Sequence, residues 1–431
     1  MGRRLWYGDR PGPTLAAADC RLHPADSMPT DDPPRTPPTR RAPLPGAIWA
    51  LGFTSLLMDV SSEMIHALLP VFLVTSLGAS VTMVGLIDGA AEALALIVKM
   101  FSGALSDAMG RRKPLAVLGY GLGALSKPLF ALAGAPGWVL GARLMDRLGK
   151  GIRGAPRDAL VADIAPPDQR GAAFGLRQAL DTVGAFIGPM LAIALMLLWA
   201  NDFRAVFAVA VVPAALSVAV LVLAVREPPA PAAQPSSSAR RPWHRESLAR
   251  LPRACWWVVG VGAVFTLARF SEGFLVLRVQ QGGLGLAWAP LVLMAMNAVY
   301  ALAAYPLGKL ADRMSHQRLL LIGLGLLVAA DLALWLAGQG ALAWAGIALW
   351  GLHLAATQGL LAAMVADTAP PELRGTAYGL FSLASGLAML VASVLAGWLW
   401  DRHGAGATFL AGAGFAGVAA AVLLMRPGSK E

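Results

Sequence analysis

RLMDRLGKGIRGAPRDALVAD, running from Arg143 to Asp163, sets Arg143, Asp146, Arg147, Lys150, Arg153, Arg157 and Asp158 inside a chain that is otherwise lipid-like. A charged side chain at the centre of a bilayer costs about 2.5 to 3.5 kcal/mol on insertion scales, so such groups must pair or face water. On helical spacing Arg143, Asp146, Lys150 and Arg157 stack along one face, with Arg147 and Asp158 on flanking faces. The stretch reads as a helix lining a polar interior. The competing reading, a soluble amphipathic helix or a helix end with snorkelling basic residues, fits poorly with the distance of these groups from any loop.

The surrounding composition sets the class. Of 431 residues, 57% are hydrophobic and 14% charged, whereas ordinary soluble domains are about 45 to 50% apolar and about 25% charged. Apolar runs near the roughly 20 residues that cross a bilayer must satisfy their backbone polar groups as helices, so the expected fold is an all-α polytopic membrane protein. The formal net charge of +10 belongs mostly to loops. Nucleic-acid binding would need that charge gathered on a folded surface with base-reading elements, and the sequence offers none. Cys20 and Cys255 have no spacing partner, so neither a disulfide nor a zinc site is implied. A membrane-embedded enzyme would need a nucleophile and base or a pattern such as HExxH, and neither is present.

Residues 1–46 are rich in Pro, Arg, Asp and Thr and lack a signal-peptide core, so they read as a disordered cytoplasmic tail in which Met28 is an alternative start. From Ile48 apolar runs fall near 47–77, 81–105, 115–134, 137–163, 171–199 and 204–225, a first six-helix bundle. A Pro-, Ala-, Ser- and Arg-rich linker spans 226–254. Runs near 255–279, 287–310, 318–338, 341–367, 372–400 and 405–425 form a second bundle, with 426–431 a short tail. Arg111, Arg112, Lys113, Arg170, the linker arginines, Lys309, Arg313, Arg318 and Arg374 share the side of both termini, while the connections near Gly78, Ala135 and Gly338 carry no basic residue. Positive charge stays inside, so both termini are expected to be cytoplasmic.

The halves are related. DIAPPDQRGAAFGL at 163–176 recurs as DTAPPELRGTAYGL at 367–380, and GALSDAMGRRK at 103–113 as GKLADRMSHQR at 308–318. The offsets, 204 and 205 residues, nearly agree, which argues for duplication of a six-helix unit. Parallel repeats of this kind are a recurring plan in secondary transporters, with substrate bound near the bilayer midplane between the halves.

These residues resemble the major facilitator superfamily over 47–425. Gly103, Asp107, Gly110, Arg111, Arg112 and Lys113 match its signature loop between the second and third helices. Gly308, Asp312, Arg313 and Arg318 resemble the degenerate second copy, with Ser315 and His316 departing from Gly and Arg. The resemblance implies a conformational latch on the cytoplasmic side, in which Gly103 permits close helix approach and Asp107 accepts hydrogen bonds from a neighbouring helix end or pairs with Arg. Arg147, Gly151 and Gly154 resemble a fourth-helix motif associated with proton coupling, although Lys150 stands where Gln is frequent. Gly184, Gly188 and Pro189 resemble the start of the fifth-helix exporter motif, whose following Gly pair is replaced by Ala192 and Ile193; a Gly-Pro pair can equally mark a kink or tight packing. A monomer in the lipid bilayer is the family expectation, as is a proton gradient rather than a cofactor as the energy source.

Asp59, Glu63 and His66 share one face of the first helix, with the two acids near mid-membrane. Carboxylates at that depth suit loading and release of protons. The second helix adds Asp88, Glu92 and Lys99 and the fifth Arg177 and Asp181, where structural pairing with the fourth-helix arginines competes with a role in transport. The second half contributes Arg269, Glu272 and Arg278, with Asp331, His353, Asn297, Tyr300 and Gln358 elsewhere. Ser62-Glu63 and Ser271-Glu272 look equivalent across the pseudo-two-fold, and a lone His353 reads as packing. Ion chemistry is therefore expected in the first half, and shape and apolar contact in the second. The leading expectation is a proton-coupled efflux antiporter for a small solute, with Glu63 and Asp59 exchanging protons beside Arg147. The alternatives are a divalent-metal or siderophore exporter using Asp59, Glu63 and His66, and a transport-incompetent receptor on the same fold.

Overall fold

The computed structural model describes residues 43–109, 111–227, 249–311, 313–337, 340–370 and 373–425, apart from the side chains of Ala104, Asp107 and Ala108. The expectations for the tail before residue 43 with Met28 and Cys20, for most of the linker, for Gly110, Asp312 and 426–431, and for the Asp107 carboxylate lie outside the described residues.

The first half comprises α1 (Gly46–His66), α2 (Leu69–Thr75), α3 (Val81–Met109), α4 (Lys113–Ala131), α5 (Pro136–Ile164), α6 (Arg170–Leu198), α7 (Phe203–Val209) and α8 (Val211–Ala224). The second comprises α9 (Arg253–Leu267), α10 (Gly273–Gln281), α11 (Pro290–Ala311), α12 (His316–Leu336), α13 (Ala341–Thr357), α14 (Leu360–Thr368), α15 (Arg374–His403) and α16 (Ala405–Leu424). No strand occurs among the described residues. Among the described residues nine helical segments are long and apolar enough to cross a bilayer, and α9 is shorter but apolar. With α4, α5 and the α9–α10 pair the chain has twelve spans. The 29 residues of α5 reach roughly 44 Å at about 1.5 Å per residue, so only its charge keeps it from reading as apolar.

Four spans expected to be continuous are broken. The first bends at Ala67–Leu68 ahead of Pro70, which cannot donate a helical N–H, and the sixth at Ala210 ahead of Pro213. Ser61 donates to the Ala210 carbonyl at 2.6 Å at this bend. The tenth turns at Gly359, whose φ of +86° is left-handed. The seventh opens between Leu267 and Gly273, and polar side chains take up the freed amides: Ser393 Oγ accepts from Ser271 N at 3.2 Å, and Ser271 Oγ accepts from Gly273 N at 3.1 Å. Broken backbone at membrane depth persists only where such partners exist. Ser271-Glu272 thus lies in a break, whereas Ser62-Glu63 lies inside α1.

The duplication is visible in the packing. In the first half α1 packs on α6, α3 and α4 on α5, and α8 on α1 and α4; in the second α9 packs on α15, α11 and α12 on α13, and α16 on α9 and α12. Matching positions in and beside the repeated DxAPP motifs share their backbone too. Ala165 and Ala369 leave their helices with ψ near 132° and 133°, and Gln169 and Leu373 start the next ones with ψ near 5° and 4°.

The halves meet mainly through α3 and α15 at the end of the bundle away from Leu44 and Met425. Gly85 and Gly89 of α3 lie against Leu390 and Ser393, and Gly397 of α15 lies against Val81 and Thr82. Asp401 closes this far end: its carboxylate accepts from Val81 N at 3.0 Å, Thr82 N at 2.8 Å and Thr82 Oγ1 at 2.6 Å. A second-half acid therefore caps the first turn of a first-half helix, where a negative charge also meets the favourable end of the helix dipole.

Loss of an N-cap costs about 0.5 to 2 kcal/mol, which displaces an equilibrium roughly 2- to 30-fold. In a Cys20→Ser, Cys255→Ser background, Asp401→Ala is expected to raise labelling of a Leu390→Cys probe by a membrane-impermeant maleimide several-fold. Labelling equal to that of the Asp401 parent would show that the cap does not hold the far end shut.

Candidate functional site

A cavity of about 990 Å³ lies between the halves. Glu63 and His66 line it beneath the far-end closure, and the lining continues through Lys99, Arg157 and Gln178 toward the near end. From α1 come Asp59, Glu63 and His66; from α3 Asp88, Glu92 and Lys99; from α6 Asp181. The face of α5 at the cavity is Arg143, Arg147, Lys150, Gly154 and Arg157, alternating four and three residues apart, with Arg153 at its margin. This corrects two sequence expectations: Arg147 belongs to the lining face, and Asp146 does not.

Asp146 turns instead toward α4, where Lys127 donates to it at 2.7 Å and to Ser62 at 3.0 Å. Lys127 is 1% exposed. The sequence reading passed over this lysine because it sits singly in an apolar run, SKPLF; its isolation ahead of Pro128 was the available signal. Tyr120 was also missed. It shares a hydrogen bond of 3.0 Å with Ser55 and lies under the Arg153 guanidinium, 4.7 Å from ring centre to cation.

The other α5 charges meet acids of α3 and α6. Arg143 pairs with Asp88 at 3.4 Å and Arg147 with Glu92 at 3.1 Å. Asp88 also accepts from Ser271 Oγ at 2.7 Å, so the Arg143 pair extends to the break in the seventh span. Arg157, Asp158, Arg177 and Asp181 form a cluster, with Arg177 to Asp181 at 2.7 Å and Arg157 to Asp158 at 3.1 Å. Arg177 supports this cluster from outside the cavity lining. Among the described residues Asp59, Lys99, Lys150, Arg269 and Glu272 have no oppositely charged group within 4.0 Å and no side-chain hydrogen bond.

The α1 trio does not make a metal centre. Glu63 and His66 approach to 3.7 Å, yet no group of three His, Cys, Asp or Glu among the described residues is placed to hold an ion. Asp59 lies a full turn before Glu63 and does not converge with the pair, which removes the geometric basis of the metal reading. In the second half the lining is mostly uncharged and includes Phe270, Asn297, Tyr300, Trp350, Gln358 and Met389 beside Arg269 and Glu272. His353 is buried away from it, hydrogen-bonded to the Gly323 carbonyl at 2.7 Å and stacked on Phe265. Asp331 is fully buried against Phe270 and Gly412 and does not line the cavity.

The sequence profile of the Major Facilitator Superfamily matches residues 51–393. The chain belongs to this superfamily. An uncharacterized MFS-type transporter of Methanocaldococcus jannaschii is 33% identical over 388 residues, covering 88% of this chain and 94% of its own. An uncharacterized protein of Mycobacterium bovis is 30% identical over 363 residues, 82% of this chain and 86% of its own. The multidrug resistance protein MdtH of Photorhabdus laumondii is 33% identical over 140 residues only, 32% of this chain and 34% of its own. Among solved structures, the nucleoside transporter NupG superposes with a TM-score of 0.74 at 12% identity, covering 88% of this chain and 99% of its own. An inward-facing, unoccupied bacterial homologue of the lysosomal transporter Spinster gives 0.69 at 17%, covering 88% and 96%. The protein is a multi-pass membrane transporter of the superfamily fold.

The superfamily's signature positions lie at the near end of the bundle and along α6. Arg112 pairs with Asp163 at 2.9 Å and its amide donates to Glu227 Oε1, while Lys113 donates to the Val222 carbonyl at 2.8 Å. In the second copy His316 approaches Asp367, the repeat counterpart of Asp163, at 3.4 Å. Arg111 and Arg313 are exposed. A methyl at Gly103 would sit 3.5 Å from Ala155 Cβ, an ordinary contact, so this conformation does not require glycine there. Gly184 and Gly188 of α6 are different. A methyl at Gly188 would fall 2.7 Å from the Val60 carbonyl and 2.9 Å from Glu63 Cβ, and one at Gly184 would fall 2.7 Å from the Leu56 carbonyl and 3.1 Å from Asp59 Cβ. These glycines seat α6 on the turns of α1 that present Asp59 and Glu63, with Pro189 buried beside them.

Breaking a buried pair by removing one partner costs about 3 to 5 kcal/mol, whereas replacing both with apolar groups is often neutral. Asp146→Ala is therefore expected to lower stability by about that amount in detergent unfolding, and Lys127→Met with Asp146→Leu to recover most of it. Additive losses in the double variant would refute the pairing account.

Proposed function

We propose that the protein is a proton-coupled exporter of a small solute in the cytoplasmic membrane, working by alternating exposure of the cavity. The basic loops on the side of both termini orient that side toward the cytoplasm, and the cavity as described would then take up solute from the cytoplasm. The observation that carries proton coupling is the state of Asp59. It lines the cavity without a charged partner within 4.0 Å, one turn from Glu63, and α6 is seated against both by glycine. A carboxyl reached by water and held by no fixed cation can gain and lose a proton as access changes. Glu63, with only His66 close by, is its neighbour in that exchange, and Arg147, already paired with Glu92, supplies a fixed positive field. Export is supported by the Gly184, Gly188 and Pro189 motif, and by the partial similarity to a multidrug resistance protein.

Growth of a sensitive bacterium with and without the protein, challenged with a panel of toxic organic compounds, would find a solute. In proteoliposomes an imposed pH gradient should then drive its flux. Asp59→Asn and Glu63→Gln are each expected to reduce that flux at least tenfold with unfolding temperatures within a few degrees of the parent. Gradient-driven flux at the parental rate in both variants would overturn the assignment.

A further inference from the structure

We infer that the transported solute is an organic anion whose negative group is held between Lys150 of α5 and Arg269 at the break before α10. This rests on the transporter reading above and names the class of its cargo.

Asp88, Glu92 and Asp181 are answered by Arg143, Arg147 and the Arg157–Arg177 cluster, and Glu63 by His66. Among the described residues the lining charges without a partner within 4.0 Å are the cations Lys99, Lys150, Arg153 and Arg269 and the acids Asp59 and Glu272. The surplus is positive, and a proton on Asp59 enlarges it. An uncompensated guanidinium at membrane depth is expensive. Arg269 nonetheless stands there with the face of Phe265, 5.9 Å from its ring centre, against it and Glu272 as a charged neighbour beyond pairing distance.

Position strengthens the case. Lys150 belongs to the first half and Arg269 to the second, and among the described residues Arg269 is the only lysine or arginine that the second half gives to the lining. An anion between them would complete an ion triad that neither half holds alone. The attraction would grow as the halves approach, which is the differential affinity a ligand needs to favour a closed state. Beside Arg269 the lining is Phe270, Tyr300, Trp350, Leu293 and Met389, an apolar and aromatic surface for the body of such an anion. A volume near 990 Å³ is at the upper end of small-molecule pockets, which run about 300 to 1,000 Å³.

Three matched probes decide the matter: 2-naphthoate, 2-naphthylmethanol and 2-naphthylmethylammonium, titrated calorimetrically into the purified full-length protein. The naphthoate is expected to bind at least tenfold more tightly than the other two. Lys150→Gln and Arg269→Gln should each weaken naphthoate at least tenfold without changing the alcohol, and Lys150→Arg should restore it. Tighter binding of the ammonium, or no discrimination among the three in the parent protein, overturns the inference whether or not the variants fold. The two readings fail separately. Selective naphthoate binding without gradient-driven flux would remove the transport mechanism and leave the anion site, and gradient-driven flux of the ammonium would do the reverse.

Discussion

Charge inside a bilayer has to be answered, and in this protein α5 is the helix that asks. Its basic and acidic groups reach in different directions, Arg143 and Arg147 to acids of α3 and Asp146 to Lys127 of α4. Three helices are thereby tied together by ion pairs where hydrocarbon contact alone would let them slide. Buried pairs are a weak source of net stability. What they provide is placement: each partner removed would strand a charge, so the register of α3, α4 and α5 has one inexpensive solution. The cavity exists because that solution leaves the remaining α5 face turned inward.

The second half is built around the same plan with a different filling. Where α1 runs unbroken past Glu63, the seventh span opens at Arg269–Glu272, and its loose amides are taken up by serine hydroxyls. Asp88 is the joint between the two, since one of its oxygens faces Arg143 and the other accepts from Ser271. Aromatic rings then occupy much of the space that ion pairs occupy in the first half, with Phe270 touching both Trp350 and Phe409. Duplication preserved which helices pack together; it did not preserve what fills the spaces between them.

Much of this was legible because it depends on regularities that a sequence carries in one dimension. Twelve apolar runs, the DxAPP repeat and its offset and the pairing of Asp88 and Glu92 with fourth-span arginines all follow from length, spacing and the cost of isolated charge. The misses have a common cause. Assigning Asp146 to the lining face treated positions three and four residues apart as equivalent, although on a helix they diverge by tens of degrees. That divergence is enough to send Asp146 to another neighbour, and the neighbour, Lys127, has no partner visible along the chain. The α1 trio failed as a metal site for a similar reason: a shared face does not make side chains converge. The break at Arg269 was hidden because its stabilising hydroxyl, Ser393, lies over a hundred residues away.

The distribution of polar contacts between the two ends explains why the described conformation is closed on one side. At the near end Arg112–Asp163 and His316–Asp367 each stay within one half, so they brace the bundles without fastening them to each other. At the far end the Asp401 carboxylate and the glycine-lined approach of α3 and α15 join the halves directly. Opening that end must uncap α3 and part a close backbone contact, a cost of about 0.5 to 2 kcal/mol for the cap alone. On the proposal that a solute draws Lys150 and Arg269 together, it would act from the middle of the bundle, where the same displacement would bring the near ends toward each other. Closure at one end and release at the other would then be two results of a single rotation, and the charge left over on the cavity wall is what a solute would have to satisfy for that rotation to be favourable.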